Sequence, residues 1–176
     1  MAASRTLERL RERGVGLSGR AALLSLLVAV CLASLVVLAI AVPKVSAART
    51  RDDQRDAILH AARQQAVNFT TLDYRSMDRD LKRVLDGSTG DFRKEFEAGT
   101  KDLKDLVAKN QAVSQGDVLE AGIVTSDADS ARVLVVADST VTNMNNKQPQ
   151  KRHYRIQMDL VREGSRWLVS DLQFVS

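Results

Sequence analysis

The C-terminal stretch HYRIQMDLVREGSRWLVSDLQFV, residues 153–175, decides the fold of this chain. It consists of two runs rich in Val, Ile, Leu and aromatic residues on either side of Glu163-Gly164-Ser165, which is typical of two strands joined by a tight hairpin turn. Two earlier runs have the same composition, and turn residues bound them. Strands that follow one another through short turns pair antiparallel. We therefore predict an antiparallel sheet of about four strands, over 118–124, 131–141, 153–162 and 166–175.

Upstream of the sheet, the spacing of apolar residues predicts three helices. The first covers 49–65, which is Ala-rich and free of Gly and Pro. The second covers 76–85, and the third begins with a capping-box-like sequence at 88–91. Three helices followed by four strands indicate an α+β domain with the helices on one sheet face. The side chains expected to be buried are Ile58, Ala62, Gln65, Phe69 and Leu72, then Met77, Leu81 and Val84, then Phe92, Phe96, Leu103 and Leu106.

An uncharged apolar run, Ala21–Val42, precedes this domain. Its 22 residues would cover about 33 Å as a helix, which matches a hydrocarbon core of ~30 Å. We predict a single transmembrane helix. A cleavable signal peptide is the alternative, because Val45-Ser46-Ala47 offers small residues at a cleavage position, although a signal h-region is only ~7–15 residues long. The predicted organisation is a basic tail 1–20, the span 21–42, a charged juxtamembrane helix start 43–56 and the α+β domain 57–176.

The charge distribution excludes several classes of protein. The 176 residues carry 26 Lys and Arg against 22 Asp and Glu, and the excess is concentrated in 1–20, which has five Arg and two Glu. A nucleic-acid-binding domain needs clustered positive charge on its folded part, which this chain lacks. Two His and one Cys, placed far apart, exclude a multi-ligand zinc or iron–sulfur site within one chain. We expect no metal and no cofactor.

Few side chains have the chemistry of acid–base catalysis, and each has a simpler interpretation. His60 lies off the apolar stripe of the first helix, where solvent is its expected surrounding. His153 alternates with apolar neighbours along its strand and is expected on the polar sheet face. Asp73 and Tyr74 are expected to begin the second helix, as a cap and a core-edge aromatic.

Asp138 and Asp171 interrupt apolar strands and are the carboxylates most worth testing. We expect them to mark strand ends or to pair with Arg132 or Arg166. Catalysis needs at least two titratable groups converging in a dry pocket, and no such pair is evident in the sequence. We therefore predict no catalytic residue and no enzymatic activity.

Two residues are candidates for partner contacts. Trp167 is the only Trp, and it is either a core aromatic or a binding anchor, since Trp is enriched in interface hot spots. Asn145 lies in the longest predicted loop, Asn143–Gln150, which is long enough to touch a partner.

Three stretches of the predicted domain have a distinctive wording: AVNFTTLDYRSMDRDLKRVLDGSTGDFRKEF (66–96), RVLVVADSTVTN (132–143) and YRIQMDLVREGSRWLVSDLQFV (154–175). In these stretches the sequence resembles the Mce-associated membrane proteins of actinobacteria, which carry a nuclear transport factor 2-like domain on a membrane anchor. The resemblance implies a cone-shaped domain with a curved sheet and no catalysis. It also implies an accessory role beside an Mce-type lipid-import transporter, with transporter subunits and membrane lipid as partners, a cytoplasmic N-terminus and a domain outside the plasma membrane.

Two other functions stay open at the level of sequence. The assembly factor of type IV secretion systems has the same anchor-plus-cone layout, so a secretion-channel scaffold is one alternative. A lipid- or steroid-binding cone is the other, because a concave sheet can enclose an apolar ligand.

Overall fold

The computed structural model describes residues 50–175. The described residues from Asp52 onward form one compact unit. The predicted basic tail and the predicted span Ala21–Val42 lie outside the described residues. Each helix within residues 50–175 is too short or too polar to cross a membrane.

The described chain begins with helices and ends with strands, as the sequence predicts. The first helix continues to residue 70, five residues past its predicted end. The elements are α1 (50–70), β1 (Leu72–Asp73), α2 (Met77–Asp86), α3 (Gly90–Asn110), β2 (Val113–Ser126), β3 (Ser130–Thr142), β4 (Gln150–Glu163) and β5 (Arg166–Phe174).

The strands form one curled antiparallel sheet in the order β1-β2-β3-β4-β5. The four predicted strands are confirmed, and the predicted hairpin turn has Gly164 in the left-handed region at a φ of 62°. The fifth strand is β1, in which Leu72 pairs with Ser114. A two-residue strand has no periodicity to detect, so the sequence placed Leu72 on the stripe of α1, which is wrong.

The predicted start of the second helix at Asp73 and Tyr74 is also wrong. Asp73 ends β1, Tyr74 lies in the following turn, and α2 begins at Met77. The Asp73 carboxylate accepts hydrogen bonds from the backbone N–H and the guanidinium of Arg75, at 2.9 Å each, and this closes the turn. The same hydrogen bonds lower the pKa of Asp73 to about 2.

The main core lies between α1 and one face of the sheet, which we call the inner face. Alternate residues of β3 point inward and are buried, and α1 contributes Ile58, Ala62 and Ala66, all without exposed surface. The small Ala side chains allow the helix to approach the sheet closely. The buried strand residues of this core are Ala121, Ala131, Val133, Val135, Ile156, Met158, Leu160, Trp167 and Val169.

A second cluster joins α2 to α3. The predicted face of α2 is confirmed, since Met77, Leu81 and Val84 are all buried. On α3 the buried residue is Val107, whereas Leu106, which the sequence placed in the core, is 59% exposed. The capping box at 88–91 is wrong as well. The Thr89 hydroxyl makes no cap and lies 2.5 Å from Oε1 of Glu163, the last residue of β4.

Aromatic side chains tie the helices to the far end of the sheet. Phe69 of α1 contacts Phe92 and Phe96 of α3 and Phe174 of β5, which in turn contacts Tyr154 of β4. The ring centroids are 5.8–6.5 Å apart and the rings are tilted, an arrangement that contributes beyond simple burial.

At Gly116 of β2 the end of α1 approaches the sheet closely. A Cβ at this position would lie 1.8 Å from Thr70 Oγ1, which is itself hydrogen-bonded to Ala66 O at 2.7 Å. Gly122 of the same strand has no atom within 4 Å of such a Cβ. The two glycines therefore differ in their surroundings while sharing a strand.

We expect Gly116→Ala to lower the free energy of unfolding by about 1–3 kcal/mol, because the added methyl group forces Thr70 and the end of α1 away from β2. Gly122→Ala is the matched control and should change it by less than about 0.5 kcal/mol. Urea unfolding followed by circular dichroism measures both. Equal effects of the two substitutions would contradict the close approach.

Candidate functional site

Trp167 lies at the start of β5 and is only 8% exposed, packed in the main core. It also borders a groove of about 550 Å³ between α1, the end of α2 and the β4–β5 turn. The burial agrees with the core interpretation of Trp167, whereas its role in partner binding stays a prediction.

Two buried polar side chains at this groove, Gln65 and Asn68, have their hydrogen-bond partners within the protein. Buried Gln65 donates through Nε2 to Val84 O and Ser88 Oγ, both at 2.9 Å, and Asn68 Nδ2 donates to Arg83 O at 3.4 Å. These hydrogen bonds hold α1 against the end of α2. They indicate a structural junction, since a binding site would present polar groups to its ligand.

Asn145 lies exposed in the loop between β3 and β4. The base of this loop is bound to α3, because Met144 N–H donates to Asn110 O at 2.9 Å. Asn143 Oδ1 accepts from the N–H of Asn145 at 3.0 Å, which holds the tip in a turn. The predicted contact loop is therefore anchored at the end of α3.

A second groove, of about 520 Å³, lies between the end of α3 and the β3–β4 end of the sheet, and we call it the apolar groove. Leu106 and Phe174, 59% and 58% exposed, lie along it, and Arg152 is the one cation among its lining residues. Close by in β3, the buried Ser139 hydroxyl has no hydrogen-bond partner among the described residues. The apolar residues that line the groove are Phe69, Leu72, Leu103, Leu106, Val107, Ala112, Val141, Tyr154 and Phe174.

The histidines lie where the sequence predicts, His60 exposed on α1 and His153 exposed on β4. The predicted pairing of Asp138 and Asp171 with Arg132 or Arg166 is wrong. Asp138 Oδ1 lies 2.6 Å from His153 Nδ1, because the two residues face each other in the β3–β4 register. Asp171 accepts from Gln173 Nε2 at 2.7 Å.

The two arginines expected to pair with these carboxylates have other partners. Arg132 donates through Nε and Nη2 to the two oxygens of Asp159, at 2.7 and 2.8 Å, and these hydrogen bonds lower the pKa of Asp159. Arg166 Nη2 donates to Asp86 O at 2.5 Å. The Asp138–His153 and Arg132–Asp159 pairs are cross-strand contacts on a solvated face, which differs from the dry pocket that acid–base catalysis requires.

Metal ligands do not converge in the part of the chain that the structure describes. Between residues 50 and 175, no group of three or more His, Cys, Asp or Glu side chains is arranged to hold a metal ion.

The sheet face opposite α1, which we call the outer face, carries exposed apolar residues that were not predicted from the sequence. Leu134 and Val136 of β3 point to this side and are 44% and 38% exposed, while Val133 and Val135 point inward and are buried. The signal was present in ARVLVVADSTV, because a nearly continuous apolar run is typical of a strand that is covered on both faces. Two more apolar residues, Leu119 and Val124, are exposed at irregularities of β2.

Comparison with known proteins shows the family. A sequence family described as "Uncharacterized protein Rv1363c/MT1408-like" matches residues 18–176, and the chain belongs to this family. The protein named Rv1363c from Mycobacterium tuberculosis is 32% identical over 128 residues, which are 73% of this chain and 49% of that protein. The chain thus spans about half the length of this relative.

Solved structures show which fold the domain has. The periplasmic domain of DotI superposes with a TM-score of 0.59 at 15% identity, covering 68% of this chain and 94% of that one. An IcmL-like type IV secretion system protein from Legionella pneumophila gives a TM-score of 0.57 at 16% identity, covering 69% and 91%. The α+β fold of three helices on a curled five-stranded antiparallel sheet is therefore one that these proteins share.

We expect Trp167→Ala to lower the free energy of unfolding by roughly 3–5 kcal/mol, because it empties a large site in the core. Asn145→Ala should change it by less than about 0.5 kcal/mol, since that side chain is exposed. Thermal and urea unfolding of the full-length protein measure both. An unfolding free energy unchanged by Trp167→Ala would contradict the placement of this side chain in the core.

Proposed function

We propose that this member of the Rv1363c/MT1408-like family is a non-enzymatic scaffold that assembles or stabilises a multi-subunit complex of the cell envelope. The observation that supports the proposal is the difference in burial between the two sheet faces. The inner face is packed against α1, whereas the outer face exposes Leu134 and Val136. Exposed apolar residues on a solvated face are typical of a protein-interaction surface.

The described titratable groups support the non-enzymatic part of the proposal. Asp73, Asp86, Asp91 and Asp159 have a lowered pKa, first because each accepts a hydrogen bond from a neighbouring Lys or Arg. Each of these pairs moves the pKa of its carboxyl further below neutral pH, which is the opposite of the shift that a proton-transferring carboxyl needs.

The complex we propose first is an Mce-type lipid-import transporter. The support is the resemblance of 66–96 and 154–175 to the Mce-associated membrane proteins, together with the mycobacterial relative. In this proposal Ala21–Val42 anchors the chain in the plasma membrane, the N-terminus is cytoplasmic, and the domain contacts transporter subunits outside the membrane.

A secretion-channel scaffold is the second candidate. Its support is the fold shared with the IcmL-like type IV secretion system protein and with the periplasmic domain of DotI. Since identity to both is at most 16%, this candidate rests on fold alone.

A lipid-binding role is the third candidate, and the apolar groove favours it. A groove of about 520 Å³ with mostly apolar walls and one cation, Arg152, suits an amphiphile with an apolar body and an anionic group.

Affinity purification of the tagged full-length protein from native membranes in mild detergent tests the proposal. We expect Mce proteins and a permease to co-purify, because a scaffold that stabilises a complex stays bound to it. The control is an unrelated single-pass membrane protein with the same tag. Deleting the gene should also lower the amounts of the co-purified subunits.

The possible outcomes separate the three candidates. Secretion-channel subunits in place of Mce proteins would favour the second candidate. A preparation with no specific protein but with enriched lipid would contradict the scaffold and favour the third.

A further inference from the structure

The apolar groove is open to an elongated ligand along one side. Leu106 and Phe174 lie along it and are 59% and 58% exposed. Strand β5 ends opposite Ile156, so β4 extends past it to Tyr154 and Arg152. An apolar chain can therefore enter the groove between α3 and the end of β4.

Arg152 and Tyr154 bring two hydrogen-bond donors to the same part of the groove wall. They are two residues apart on β4, so both lie on the inner face with Cα atoms about 7 Å apart. Both line the groove, and none of the described residues that line it is Asp or Glu. Neither side chain takes part in a hydrogen bond or an ion pair that the structure shows for residues 50–175. Their donors are available to a ligand.

A buried hydroxyl group lies beside this pair. Ser139 of β3 is directly opposite Arg152 in the strand register and is 1% exposed. Its Oγ atom has no hydrogen-bond partner among the described residues. Because buried polar groups are nearly always hydrogen-bonded, this hydroxyl needs a partner that the described part of the chain does not supply. We call Arg152, Tyr154 and Ser139 the donor cluster.

We propose that the apolar groove binds a single-chain amphiphile with a carboxylate head, which is the chemical class of the long-chain fatty acids. The carboxylate accepts two hydrogen bonds from the Arg152 guanidinium and further ones from the hydroxyls of Tyr154 and Ser139. The chain lies along Leu106 and Phe174, where burial of its apolar surface supplies most of the affinity. This inference rests on the third candidate function, whose ligand it names.

The size and the walls of the groove argue against two other occupants. Its volume of about 520 Å³ is in the range of small-ligand sites, which favours one acyl chain over the two chains of a phospholipid. A peptide segment would bring backbone N–H and C=O groups, and mostly apolar walls would leave many of these groups without partners.

The groove beside Trp167 does not offer the same chemistry. Its cations are already engaged, since Arg83 pairs with Asp80 at 2.9 Å and Arg166 Nη2 donates to Asp86 O at 2.5 Å. The Asp86 residue also lines that groove and would repel an anion. The donor cluster is therefore the feature that distinguishes the apolar groove as a carboxylate site.

Photochemical cross-linking of the full-length protein in phosphatidylcholine nanodiscs tests this inference. The probe is palmitate with a diazirine near the end of its chain, and the cross-linked peptides are identified by mass spectrometry. We expect saturable labelling of the peptides that contain Leu103, Leu106 or Phe174. Unlabelled palmitate should displace the probe, whereas hexadecanol, which has the same chain and no charge, should not.

Substitutions in the donor cluster test the head-group contacts. Arg152→Gln should raise the half-saturating probe concentration by more than about tenfold, and Tyr154→Phe and Ser139→Ala by about threefold or more, because each removes a donor to a charged group. Arg155→Gln is the matched control, since it removes the same charge from the outer face of the same strand, and should change it less than about twofold. Ser139→Ala should not lower the thermal midpoint, since it removes an unpaired buried hydroxyl.

Three results would overturn the inference. They are labelling that does not saturate, equal effects of Arg152→Gln and Arg155→Gln, and displacement of the probe by hexadecanol as effective as displacement by palmitate. The scaffold proposal is measured separately, by the proteins that co-purify. Loss of saturable labelling with co-purification retained would therefore overturn the ligand and leave the scaffold standing.

Discussion

The packing of α1 against the inner face of the sheet is the contact on which the rest of the domain depends. Ala62 and Ala66 bring the helix close enough for Thr70 to touch the backbone of Gly116. The same helix carries Gln65, whose hydrogen bonds hold α2, and Phe69, which holds α3 and the end of the sheet. One helix thus connects every other layer, so its contact with the sheet determines which face is buried and which is free.

This arrangement accounts for the chemistry of the surface. The inner face is occupied mainly by apolar side chains, and four charged or titratable residues of β3 and β4 lie on the outer face, where Asp138 pairs with His153 and Arg132 with Asp159. Cross-strand pairs of this kind stabilise neighbouring strands and remain in solvent. Leu134 and Val136 are exposed among these pairs.

Sequence reasoning predicted the parts of the fold that have a period. The alternation of apolar and polar residues in β4 predicted a strand, and the 3–4 spacing of apolar residues in α1 and α2 predicted helices. β1 was too short to show any period. Leu106 and Val107 are adjacent and apolar, and only the three-dimensional packing decides that Val107 is the buried one. The pairing of Asp138 depends on strand register, which composition does not specify, and the outer face was hidden in a run where both faces of β3 are apolar.

Thiol labelling of the full-length protein tests the assignment of the two sheet faces most directly. With the native Cys31 replaced by Ser, Val133→Cys and Leu134→Cys place a thiol on adjacent residues of β3 that face opposite ways. We expect fast labelling at 134, where the side chain is exposed, and slow labelling at 133, where it is buried. Equal labelling rates at both positions would contradict the claim that α1 covers one face and leaves the other exposed.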